Sequence, residues 1–272
     1  MKRVAILPQW LVLVGFFNLA GFAQATLVSS WTQDQGSAVI SGQSTTTVTI
    51  GNGGNNSASG VSVSGSLSGT VTASSVGDSI EMLGTLTLTG ISNNNVSGLS
   101  FGLYNTNGSS NANGWLGYSV SNSDGSNAGQ LMERNAGNST IYTSTTGETQ
   151  LATTLASSSP AFTDGTYNFS ITLTRQAANA YAIVYSLNRT SSAGYTMTGS
   201  FTDTTASTFS INRIGFLAGS NLKADQFSIS LTDVSITVIP EPSAAGLCIP
   251  GAFLLGRSRV RRKFAAAGQS LE

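Results

Sequence analysis

The sequence predicts an all-β domain built as a sandwich or jelly roll, and two observations carry that prediction. Apolar and small polar residues alternate in TTTVTI (45–50), GVSVSGSLSGTVT (60–72), GTLTLTG (84–90), YNFSITLTR (167–175), AYAIVYSL (180–187), TFSINRIGF (208–216) and FSISLTDVSITV (227–238). A period of two is that of a strand with one buried face. The intervening segments GNGGNNSASG, NTNGSSNANG and NSDGSNAG are turn chemistry. No stretch shows a 3.6-residue apolar period. Short strands at short intervals between glycine-rich turns point to packed sheets.

At the amino end, Lys2 and Arg3 precede a mostly apolar run from Val4 to Phe22, and Ala23-Gln24-Ala25 is a small-x-small site. This layout predicts a secretory signal peptide over residues 1–25, cut after Ala25. A membrane anchor is the competing reading, and Pro8, Gln9 and Asn18 weaken the run as a span. Residues 26–239 are then one domain. The glycine-asparagine cluster at 51–57 reads as a loop, since the twenty-odd residues before it could hardly bury a core of their own. A parallel β-helix is the alternative fold, but its fixed short period is absent.

The carboxyl end changes character. Pro240-Glu241-Pro242 precedes an apolar run from Ala244 to Leu255, interrupted by Pro250. Arg257, Arg259, Arg261, Arg262 and Lys263 follow, then the extension 264–272. The run is shorter than the roughly twenty residues a helix needs to cross a bilayer. The cations behind it suit the cytoplasmic side. The expected behaviour is transient insertion in the inner membrane, not permanent anchoring.

This ordered set (PEPS, apolar run, RSRVRRK, with a signal peptide upstream) resembles the PEP-CTERM sorting signal of Gram-negative bacteria that make exopolysaccharide. The resemblance covers residues 240–263. It implies an exosortase as processing partner, removal of the tail, and a destination at the cell surface or outside the cell. GTLTLTG, LSFGLYNTNG, GWLGYSV, INRIGFLAG and ADQFSISLTDVSIT together resemble concanavalin A-like, laminin-G-type jelly rolls. That likeness implies two antiparallel sheets of six or seven strands each.

Charge and composition exclude several function classes. The chain has twelve basic and twelve acidic residues. Residues 26–239 keep only Arg134, Arg175, Arg189, Arg213 and Lys223 against ten acids. A mildly acidic domain has no footprint for nucleic acid. There is no histidine, and the lone Cys248 lies in the tail, so triad chemistry and imidazole-based zinc sites are excluded. Glu81, Glu133 and Glu148 are the only glutamates available to a glycosidase, and none shares a strand segment with a second acid at alternate spacing. The expectation is a non-catalytic protein associated with extracellular polysaccharide, with a lectin-like module and a glycoside hydrolase as alternatives.

Two candidate sites remain. Tyr104, Trp115 and Tyr118, beside Asn105, Asn107 and Asn113, could stack on sugar rings, although strand aromatics are more often core. Asn122, Asp124 and Asn127 supply hard oxygens around Gly125 for calcium, the one cofactor with a candidate donor set; the same cluster is turn chemistry first.

Overall fold

The computed structural model describes residues 26–36, 39–51, 61–90, 98–122, 129–137, 141, 147–158, 162–191, 194–219, 226–230 and 237–239. The predicted signal cleavage at Ala23 and Ala25 lies outside the described residues, as does the tail with Pro240, Glu241, Pro242, Arg257, Arg259, Arg261, Arg262 and Lys263. In chain order the strands are β1 (Val28–Gln35), β2 (Val39–Ser41), β3 (Thr47–Gly51), β4 (Val61–Thr72) and β5 (Ser79–Thr89). Then follow β6 (Leu99–Asn105), β7 (Leu116–Ser121), β8 (Gly129–Asn135), β9 (Glu148–Ser158) and β10 (Gly165–Ala177). The last are β11 (Ala180–Arg189), β12 (Thr196–Asp203), β13 (Ser210–Ala218), β14 (Gln226–Ser230) and β15 (Thr237–Ile239). A single 3-10 turn, Ala112–Gly114, is the only helical element among the described residues.

The strands form a two-sheet antiparallel sandwich, as the alternation predicts. Sheet A runs β1-β4-β13-β6-β7-β8, and sheet B runs β12-β11-β10-β5-β14-β3-β2 with β15 also on β5. Strand β9 joins them. Its first half pairs with β8, from Glu148 opposite Arg134 to Leu155 opposite Gly129. Its last residues, Ala156 to Ser158, pair with Thr198 to Thr196 of β12. Two register shifts in the β8 pairing mark the bend where the strand changes sheets.

The buried half of each alternating strand makes the core. Tyr167, Phe169, Ile171 and Leu173 of β10 point inward from sheet B, and Leu99, Phe101 and Leu103 of β6 point inward from sheet A. Phe169 packs between two rings of the opposite sheet, 5.4 Å from Phe101 and 5.3 Å from Phe216. Each such aromatic pair adds about 0.5–1.5 kcal/mol beyond the area it buries.

Tight steric fits also position rings on the sheets. Gly199 faces Tyr185 across the β11–β12 ladder. A Cβ there would lie 2.8 Å from Tyr185 Cε2, so the bare backbone is what lets that ring lie flat. The sheet edges are blunted. β2 has three residues, and β1 carries two register shifts in eight, which spoils it as a template for another strand.

Candidate functional site

On the outward face of sheet A, two arginines and their acidic partners gather around Tyr104 and Trp115. Across the hydrogen-bonded register, Ser66, Arg213, Tyr104, Gly117, Arg134 and Glu148 stand side by side. One row further along stand Ser64, Gly215, Gly102, Ser119 and Met132. The first row is charged and aromatic, and the second is mostly small. Tyr104 leans over that smaller row: a Cβ on Gly102 would come within 2.6 Å of its hydroxyl.

The segment between β6 and β7 folds onto this face. Asn111 caps the 3-10 turn by accepting a hydrogen bond from Asn113 N at 3.1 Å. Trp115 follows the turn and joins Tyr104, Ala112 and Ile141 in a second small apolar cluster, with the Tyr104 and Trp115 ring centres 6.1 Å apart. Two arginines hold the arrangement. Arg213 places its guanidinium carbon 4.6 Å from the centre of the Trp115 ring and donates to Ser64 Oγ at 2.8 Å and Ser66 Oγ at 2.7 Å. Its Nη1 lies 3.9 Å from Asp34 Oδ1, which also accepts from Ser64 Oγ at 2.9 Å. Arg134 donates to the carbonyls of Ala112 at 2.6 Å and Ile141 at 3.3 Å, and pairs with Glu148 at 3.3 Å.

Burial shapes the electrostatics here. It raises the Asp34 carboxyl above its ordinary value, against the opposing pull of Ser64 and Arg213. Burial likewise lowers the Arg213 guanidinium, with Asp34 opposing. The Glu148 carboxyl is pushed up to about 7 by burial, with Arg134 opposing. These charges are spent on one another and on backbone carbonyls.

A second polar group lies inside the sandwich. Tyr118 of β7 donates to Asp203 Oδ2 of β12 at 2.6 Å, a bond from one sheet to the other. Asp203 Oδ1 accepts from Thr205 N at 2.8 Å and Thr205 Oγ1 at 3.0 Å, and Glu133 Oε1 accepts from Ser207 N at 2.8 Å. Burial, then the Asp203 bond, push the Tyr118 hydroxyl well above its usual range, so it stays a donor. Burial raises the Glu133 carboxyl, and the Ser207 bonds oppose it. Glu133 and Asp203 are 3% and 2% exposed, so this acid–tyrosine–acid group secures the β12–β13 connection and presents no open carboxylate.

The structure corrects the sugar platform expected on Tyr104, Trp115 and Tyr118. Their exposures are 0%, 2% and 0%, and a ring without an open face cannot stack on a sugar. They do not share a face either. Tyr118 pairs with Leu103 and so points into the core, whereas Tyr104 pairs with Gly117 and points outward. Of the calcium candidates, only Asn122 is among the described residues. Its Oδ1 accepts from Gly98 N and Leu99 N, both at 2.9 Å, and is occupied in anchoring β6. Asp124 and Asn127 lie outside the described residues. Among the described residues no group of three or more acidic or sulfur ligands could hold a metal. The three glutamates fall in three places: Glu81 on the outward face of sheet B, Glu133 inside, Glu148 on Arg134.

Sequence reasoning did not find Arg134, Arg213, Asp34 or Asp203. The usable signal was the presence of isolated charges within otherwise neutral alternating segments, as in LMERN and INRIG.

No family model matches the chain, and no curated protein matches it. Several solved structures resemble it. A carbohydrate esterase from Shiga toxin-encoding bacteriophage phi24B is 12% identical, with 77% of this chain and 99% of that one covered and a TM-score of 0.37. The exoplasmic/lumenal domain of VIP36 in its Ca2+/Man3GlcNAc-bound form is 13% identical, with 79% and 99% covered and a TM-score of 0.41. The PL-14 alginate lyase of Aplysia kurodai is 10% identical, with 75% and 87% covered and a TM-score of 0.43. These are likenesses of fold.

Proposed function

We propose that the chain is an exported, non-catalytic protein of the cell surface or extracellular matrix, associated with exopolysaccharide and delivered through its carboxyl-terminal segment. The observation that carries this reading is the ordered set of sequence features around the domain. A basic start, apolar run and small-x-small site lead to export. Pro240-Glu241-Pro242, a short apolar run and five cations then make a temporary stop. Pro240 and Pro242 cannot donate to a sheet ladder, which suits a cleavable stretch that takes no part in the sheets.

The domain supports the non-catalytic part of the reading. Its buried acids bind backbone amides, a tyrosine or an arginine, and the three glutamates do not converge on one place. Glycoside hydrolysis by paired carboxylates needs two acids flanking one bond.

The test is intact mass spectrometry of the protein recovered from its native host. The expected mass ends near Pro-Glu-Pro and lacks Cys248 and the five tail cations. An exported protein that keeps Arg257 to Glu272 would refute sorting through this segment.

A further inference from the structure

Among the described residues, the outward face of sheet B differs in chemistry from that of sheet A. Its strands turn Thr, Ser and Asn outward, and neighbouring strands pair them: Ser79 with Thr174 at 2.7 Å, Thr87 with Thr166 at 3.0 Å, Ser170 with Ser186 at 2.7 Å. Such positions repeat about every 4.8 Å across the strands and about every 6.7 Å along them. The only ionisable side chain turned outward on this face among the described residues is Glu81, which accepts from Thr172 Oγ1 at 3.4 Å. On β11, one strand in from β12, Val184 is 53% exposed and paired in register with Thr172 on one side and Ser200 on the other.

We infer that this face, a neutral lattice of paired hydroxyls around Val184, is the surface through which the protein contacts a neutral polysaccharide. The inference rests on the reading of the chain as polysaccharide-associated and assigns that association a place.

Three physical arguments carry it. A hydroxyl has one donor and two acceptor lone pairs, so a bonded pair uses one of each and keeps one donor and three acceptors for a ligand. A sugar chain offers the matching donors and acceptors in a repeating row. Next, the pairing already fixes the side chains, and β-branched threonine is stiff at χ1, so little rotamer freedom remains to be lost on binding. Finally, a face that turns a single acid and no base outward among the described residues has no cation to hold an acidic polymer, and Val184 supplies an apolar contact for the C–H face of a sugar ring. Each contact is weak, and the lattice gains affinity by repetition along the chain.

The experiment measures retention of the exported protein on an insoluble neutral glucan and on an acidic polysaccharide gel. Retention on the glucan should persist through an about tenfold rise in salt, because no ion pairs are involved. The exposed double variant Val184→Glu/Ser200→Glu should weaken it on the order of tenfold, or about 1.4 kcal/mol. Val76→Glu, on the exposed β4–β5 turn, should leave it unchanged, and both variants should melt like the parent. If the double variant binds the glucan as the parent does, the face is the wrong place while the broader reading survives. Binding that vanishes with salt, or that favours the acidic gel, overturns the neutral chemistry. A parent protein that binds neither polymer overturns the polysaccharide reading itself, and this inference with it.

Discussion

The outward faces of the two sheets are built on the same alternation and carry opposite chemistry. On sheet A the outward residues include Arg213, Tyr104, Arg134 and Glu148, and a loop bearing Trp115 covers them. On sheet B they are threonines and serines that bond to one another, with β12 exposing Thr196, Thr198, Ser200 and Thr202 to solvent. The difference shows how a chain poor in charge distributes its few ions. Of the four arginines in the described strands, two hold the sheet A loop. Arg175 instead bonds the carbonyls of Ala73 and Ser74, and Arg189 that of Asp164. Each works as a tie between segments. Solubility on sheet B therefore falls to hydroxyls.

The comparison breaks most readily at Arg213. Replacing it by alanine removes the cation over Trp115, two hydrogen bonds to serine and the partner of Asp34. A loss of about 1–2 kcal/mol is expected for removing these contacts and leaving a partly buried carboxylate without its cation, read as a lower midpoint in urea.

A smaller effect is expected from pH. Burial holds Glu148 up at about 7 against 4.5 for the free group, so the folded state binds its proton more tightly than the unfolded chain does. Its contribution to stability is full below about pH 4.5 and is lost as pH rises towards 7. Asp34 and Glu133 are raised by the same cause and act with the same sign. The melting temperature should fall by several degrees between these pH values, and Glu148→Gln should flatten part of that slope. A melting temperature that rises instead would show that the ion pair with Arg134 outweighs the burial.

The smallest effect belongs to sheet B. Ser170→Ala removes one hydroxyl of a pair at a half-buried site and leaves Ser186 within reach of water. A change of no more than about 0.5 kcal/mol is expected by denaturant titration, as for an ordinary surface position.

The sandwich was legible in the sequence because its period-two alternation runs through β3, β4, β5, β10, β11 and β13 with little interruption. Strand β8 was harder to read, since Glu133 and Arg134 look solvated in LMERN. In the folded chain, one contacts Ser207 across the interior and the other contacts Ala112, Ile141 and Glu148 on the opposite face. The aromatic trio failed as a site for a related reason. Whether Tyr104 and Tyr118 share a face depends on the pairing register of β6 with β7, and Gly117 rather than Tyr118 stands opposite Tyr104. Register is a long-range property, and spacing along one strand does not reveal it. The paired hydroxyls of sheet B were visible as composition only. Their order appears once β5, β10 and β11 lie side by side.

The contrast between a covered face and an open one is tested most directly by placing the same charge on each. Ser64 on sheet A is fully buried between Asp34 and Arg213, whereas Ser200 on sheet B is exposed. Thermal unfolding of Ser64→Lys and Ser200→Lys should give very different results. A buried like charge beside Arg213 should cost several kcal/mol, a drop of about 10 °C at roughly 2–4 °C per kcal/mol for a domain of this size. Ser200→Lys should melt within about 1 °C of the parent. Equal shifts for the two variants would contradict the account, because they would show that the two outward faces are covered, or open, to the same degree.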